Sequence, residues 1–154
     1  MKGTLDSIKS FFDTNIATIV QQVETDFSTV IPDLAYMDTK EYTGKQFPYM
    51  VILPDSGYND FLNEDAPDEV GWKYRNIRVI VADNNSDLEA VQETLLLYEE
   101  VIHELVKSDN TFNGAFNRVR VIDLDYSEMG QWKETHKFEQ SWRINLEIRK
   151  LLSY

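Results

Sequence analysis

Between Phe138 and Arg149 apolar and polar residues alternate almost without a break. Phe138, Trp142, Ile144, Leu146 and Ile148 fall on one side of an extended chain, and Glu139, Ser141, Arg143, Asn145, Glu147 and Arg149 on the other. A repeat of two marks a strand with one face in a core and the other in water. A sheet built from such strands is antiparallel or mixed, because all-parallel sheets are covered on both faces and read as continuous apolar runs. The rest of the chain must therefore supply further strands and an apolar cover for the face that carries Trp142.

Two amphipathic helices supply the cover. Leu5, Ile8, Phe12, Ile16, Ile19 and Val23 recur at helical spacing and predict a helix over about 5–25, with Thr4 as its cap. Leu88, Val91, Leu95, Tyr98, Ile102 and Leu105 predict a second, running to about Lys107. Its start lies in VADNNSDLEA, residues 81–90, where Asp83, Asn85 and Asp87 alternate as the first ligands of a calcium loop do. Such a loop needs Gly where Leu88 stands and a bidentate Glu where Thr94 stands. Ser86 precedes Glu89 by the spacing of a capping box, and Asp87 adds negative charge at the positive end of the helix. The stretch is expected to be a helix start capped by Ser86.

Three more strands complete the pattern. One runs from Phe47 to Leu53, with Pro48 at its start or on an edge, and is stopped by Pro54 and Gly57. The next is Lys73–Ala82, with Ile77, Val79 and Val81 on one face and Arg78 and Ile80 on the other. The third is Arg118–Tyr126, with Ile122, Leu124 and Tyr126 on its apolar face. Residues 26–46, interrupted by Pro32, are expected to be irregular with room for one short strand. No Lys or Arg occurs between Lys45 and Lys73, and residues 54–72 read as an acidic loop. Turns are expected at 109–114 and around Gly130. The expected fold is one α+β domain over residues 1–154: about four strands in an antiparallel or mixed sheet, packed by two helices, in the order α-β-β-α-β-β.

Composition narrows the function. The chain has no cysteine, which removes disulfides, thiolate metal sites and cysteine nucleophiles. It opens without the apolar core of a signal peptide, and no apolar run approaches the roughly 20 residues of a membrane span. Assembly in a cytoplasm and no membrane partner are expected. A net charge of −12 repels phosphate backbones, so specific nucleic-acid binding is disfavoured, although a pore through which DNA slides would want such walls. Asp123, Asp125, Ser127 and Glu134 half-match a calcium pattern, with Glu128 where Gly is required. His103 and His136 are the only histidines and lie at no metal-binding spacing, there is no GxSxG elbow, and Thr43-Gly44-Lys45-Gln46 lacks the other parts of a phosphate loop. No catalytic residue, metal ligand or cofactor is assigned. Trp142 belongs to the core by its face. Trp72 and Trp132 stand in loop or turn regions, where an indole serves either local packing or a partner. They join Asp60, Glu64, Asp65, Asp68 and Glu69 of the acidic stretch as candidate contact residues.

The segment YRNIRVIVADNNSDLEAVQETLLLYEEVIHELVKSDNTFNGAFNRVRVIDLDY, followed by KFEQSWRINLEIRK, resembles the tail terminator and tail-completion proteins of long-tailed phages. The nearest local echoes are LYEEVI at Leu97–Ile102 and TFNG at Thr111–Gly114. The resemblance rests on the order and texture of the elements and extends over nearly the whole chain, while the acidic stretch is longer than in the family's smaller members. It implies structural work: a homo-oligomeric, usually hexameric, ring in the virion that caps the head-proximal end of the tail tube. The ring would touch the tube protein and a neck or head-completion protein, and would pass DNA through an acidic lumen without specific binding. A neck or head-closure connector is the alternative within the same class. Outside it stand a small metal-dependent enzyme using Asp123, Asp125 and Glu134, and a monomeric adaptor that holds a basic partner on the acidic stretch.

Overall fold

The alternating segment becomes an interior strand of the sheet. A computed structural model describes residues 2–61 and 70–153. The elements are α1 (Lys2–Phe27), β1 (Tyr36–Asp38), β2 (Tyr49–Phe61), β3 (Val70–Asn85), α2 (Leu88–Ser108), β4 (Arg118–Tyr126), β5 (Gly130–Gln131) and β6 (Phe138–Ser153). The sheet has the order β1-β2-β3-β6-β4, with the two-residue β5 paired to β6. β1 is parallel to β2 and every other pair is antiparallel, so the fold is α+β with a mixed sheet. β3 and β4, joined by α2, run the same way and are separated by β6.

Both helices cover one face. Ile8, Phe12 and Val23 of α1 and Val91, Leu95, Tyr98, Ile102 and Leu105 of α2 are buried with Met50, Ile52, Ile77, Val79, Val81, Trp142, Ile144, Leu146 and Ile148 in a single core. Trp142 donates its indole N–H to the Leu95 carbonyl at 2.8 Å, and the Tyr98 hydroxyl donates to the Pro32 carbonyl. At the α2–β4 turn, Phe112 stacks on Phe11 at 4.3 Å and meets Phe12 edge-on. The Asp109 carboxylate holds that turn by accepting from the Thr111 hydroxyl and from the backbone N–H groups of Thr111 and Asn113. These bonds keep its pKa below the ordinary carboxylate value.

Several expectations are corrected. α1 begins at Lys2, so Thr4 lies inside the helix and does not cap it. β2 does not stop at Pro54 and Gly57: it runs to Phe61 across a register shift between those two residues. β1 reaches only Val51, so the rest of β2 is a sheet edge, where a residue without an N–H and a bulge are tolerated. Of the acidic loop expected at 54–72, residues 62–69 lie outside the described residues, and Gly57–Phe61 are instead a ladder with Gly71–Arg75. The N-cap of α2 is Asp87, not Ser86. Its carboxylate accepts from the Glu89 N–H at 3.0 Å, while the Ser86 hydroxyl reaches only the Asn85 side chain at 3.5 Å. In β4 a register shift between Val121 and Asp123 turns Ile122 out, 41% exposed, and leaves Leu124 packed on the core.

Candidate assembly surfaces

Among the described residues the second face of the sheet carries no helix, and the chain's arginines gather on the sheet's strands. All six (Arg75, Arg78, Arg118, Arg120, Arg143 and Arg149) lie on β3, β4 or β6, and all but Arg75 belong to the polar phase of their strand. Ion pairs to carboxylates hold three of them among the described residues. Arg120 Nε lies 2.7 Å from Glu147, Arg78 lies 3.0 Å from Asp55, and Arg143 lies 3.5 Å from Asp125. Nε of Arg78, Oδ1 of its cross-strand neighbour Asn145, and Nε of Arg149 are buried without a hydrogen bond among the described residues. Arg118 stands directly across from Arg149, with Lys150 next in the chain. Like charges directly opposite each other destabilise a ladder. Among the described residues no carboxylate forms an ion pair with Arg118, Arg149 or Lys150. Arg149 instead stacks over the Trp72 ring at 4.3 Å. Leu151, 44% exposed, extends this cationic end.

The exposed side of α2 is acidic. α2 carries Glu89, Glu93, Glu99, Glu100 and Glu104 against Lys107. Between α2 and the end of α1 lies a groove of about 590 Å³ with Phe27, Leu96 and Leu97 in it and Glu89, Glu93, Glu99 and Glu100 around it. Phe27 and Leu96 are 55% and 56% exposed. Glu99 accepts from the Tyr126 hydroxyl at 2.7 Å and Glu93 from Thr29 at 3.2 Å. Among the described residues no lysine or arginine forms an ion pair with these four glutamates. The Glu99 charge and burial together push the Tyr126 pKa upward, with burial the larger cause.

Of the residues singled out beforehand, Trp72 and Trp132 are both half-buried, and each meets a cation: Arg149 on Trp72, and Lys45 over Trp132 at 5.9 Å. The two indoles are not brought together, since Trp72 pairs with Leu151 near the far end of β6 while Trp132 follows β5. Lys45 belongs to the loop after β1, in which Tyr42 stacks on Tyr36 at 4.2 Å and tilts against Tyr49 at 4.8 Å. Asp60 pairs with Trp72 along the backbone of β2, and Glu64, Asp65, Asp68 and Glu69 lie outside the described residues. Sequence reasoning missed the groove on α2. Leu96 falls off the apolar stripe, and a leucine among glutamates was the available signal.

The three residues of the calcium-like pattern go to three separate tasks. Asp83 is buried at the end of β3, its pKa pushed up to about 6 by burial against the opposing hydrogen bonds of Asn84 and Thr94. Asn85 accepts from the Asp87 N–H at 3.0 Å, and Asp87 caps α2. Asp123 and Asp125 face Asn145 and Arg143 on the helix-free side, and with Glu134 they form no metal-binding group. Among the described residues no cluster of three or more His, Asp or Glu side chains is placed to hold a metal, and no helix is long and apolar enough to cross a membrane.

No family model matches the chain, and no curated protein matches it. Among solved structures it is similar to a chain from the virion of a native gene transfer agent particle, with 8% identity over 87% of this chain and 91% of that one and a TM-score of 0.36.

Proposed function

We propose that the chain is a structural virion protein, a tail terminator whose copies close a ring at the head-proximal end of a phage tail tube and offer the surface on which the head docks. The sequence resemblance suggests this role. The observation that carries it is the presence of two unlike patches on one subunit: facing arginines at one end of the sheet, and glutamates around an apolar groove on the helices. Surfaces that differ in this way are suited to heterologous contacts, in which each subunit presents one surface to the next. Such contacts end in a closed ring when the rotation per subunit permits.

In this reading the ring caps the tube on one side and meets the neck or head-completion protein on the other. The acidic stretch, Asp60, Glu64, Asp65, Asp68 and Glu69, faces the lumen, where negative walls keep DNA from sticking as it leaves. Replacing those five by Asn or Gln leaves folding intact and slows DNA exit; unchanged infectivity of that variant removes the lumen assignment.

Electron microscopy of particles assembled without the protein tests the role itself. Overlong or unjoined tails beside full heads are expected. Tails of normal length beside unattached or leaking heads would move the protein to the neck and overturn the terminator reading.

A further inference from the structure

The cationic end and the acidic groove belong to opposite ends of the subunit. The groove overlies the Trp142 end of β6, because Leu95 of α2 bonds to Trp142, and Glu99 bonds to Tyr126, which is paired with Trp142. Arg149 lies seven residues further along the same strand, about 23 Å at roughly 3.3 Å per residue. The two patches therefore do not satisfy each other within one chain. Each is also incomplete. Arg118 and Arg149 face each other as like charges with exposed Leu151 beside them, and the groove exposes Phe27 and Leu96 among glutamates that no lysine or arginine neutralises among the described residues.

We propose that the occupant of the groove is a second copy of this chain, whose Arg118, Arg149 and Leu151 end, all on the helix-free face of the sheet, seats on Leu96 between Glu93 and Glu100. The inference rests on the ring reading and specifies its contact. An apolar residue flanked by cations meets an apolar floor flanked by carboxylates, so sign and hydrophobicity match together. The contact joins one end of a subunit to the other end of the next, and its strength falls as salt rises.

Two charge-reversed variants test it: E93K with E100K in the groove, and R118E with R149E at the cationic end. Sedimentation at low and at physiological ionic strength reads assembly, and circular dichroism confirms that each variant is folded. Each alone is expected to associate more weakly than the unmodified chain by over about a hundredfold, since juxtaposed like charges cost several kcal/mol. An equimolar mixture is expected to assemble again, because each variant then offers the other its missing sign. Variants that assemble like the unmodified chain, or a mixture that stays monomeric, overturn the contact while leaving the ring reading to the particle micrographs. An unmodified chain that is monomeric throughout overturns self-association through this contact. Duplex DNA binding that R118E with R149E abolishes, with assembly unaffected, reassigns the cationic end to a phosphate backbone and also overturns the proposal.

Discussion

The indole N–H of Trp142 points across the interface between sheet and helix and donates to the backbone carbonyl of Leu95 at 2.8 Å. Trp142 is 1% exposed and lies on an interior strand. Replacing it by Phe removes that bond and leaves part of the indole's volume empty. The expected cost is about 2 kcal/mol, from a hydrogen bond of about 1 and a small void. Urea unfolding should show a lower midpoint with an unchanged slope.

The start of α2 separates two neighbouring residues cleanly. Asp87→Ala removes the acceptor for the Glu89 N–H and should cost about 1 kcal/mol. Ser86→Ala should fall within about 0.5 kcal/mol of no effect, as surface changes without a specific partner do. Equal losses in the two variants would place the cap at neither residue.

Asp83 makes stability depend on pH in a recognisable direction. Its folded pKa is raised to about 6, so the native state favours its protonated form. The stability this contributes is fully present below the unfolded value near 4 and is lost as the pH rises through about 6. Asp83→Asn stays neutral throughout. It should exceed the unmodified chain by up to about 3 kcal/mol at pH 8, and the gap should close toward pH 4. Comparing the two proteins at each pH removes the contribution of the other carboxylates. A gap that stays constant from pH 4 to 8 would refute the assignment.

Phe112 holds the α2–β4 turn with its ring in the core and its backbone at φ +49°. Phe112→Ala should cost about 3–5 kcal/mol, the range for emptying a buried aromatic site. Gly114, two residues on at φ +79°, has open space around its α-carbon, so Gly114→Ala should cost only about 1 kcal/mol of backbone strain. Chemical denaturation of the two variants distinguishes packing from backbone geometry in the same turn.

The elements that could be read in advance are those whose pattern and burial coincide. β6, the β3 face carrying Ile77, Val79 and Val81, and the stripe of α2 are legible because each side chain goes where its polarity sends it. Pro54 and Gly57 misled because their cost depends on what lies beside the strand, and the free edge of β2 is a tertiary fact. Ser86 misled because Asp87, one position on, makes the cap with a charged acceptor. The acidic stretch read as a loop because hairpin pairing beyond the core depends on the backbone and carries no apolar alternation. Of the assembly surfaces, Trp72 and Trp132 were found by residue type, but the cations on them were not, since Lys45 is far away in sequence from Trp132 and Arg149 is far from Trp72. The facing arginines could not have been found without the register that sets Arg118 against Arg149.

The position of β6 between β3 and β4 also governs how the molecule is built and how it fails. Without β6 the β1–β2–β3 unit has an open flank, and β4 and the two-residue β5 have no partner strand. The ladder that unites them joins residues such as Val81 and Trp142, far apart in the chain, so the closing step is entropically expensive and comes late. A lesion in β6 therefore severs β4 from the rest of the sheet, where damage to β1 would only shorten a border, and it exposes the flanks of β3 and β4 at once. Selection against aggregation should accordingly weigh more heavily on the seam than on the rim.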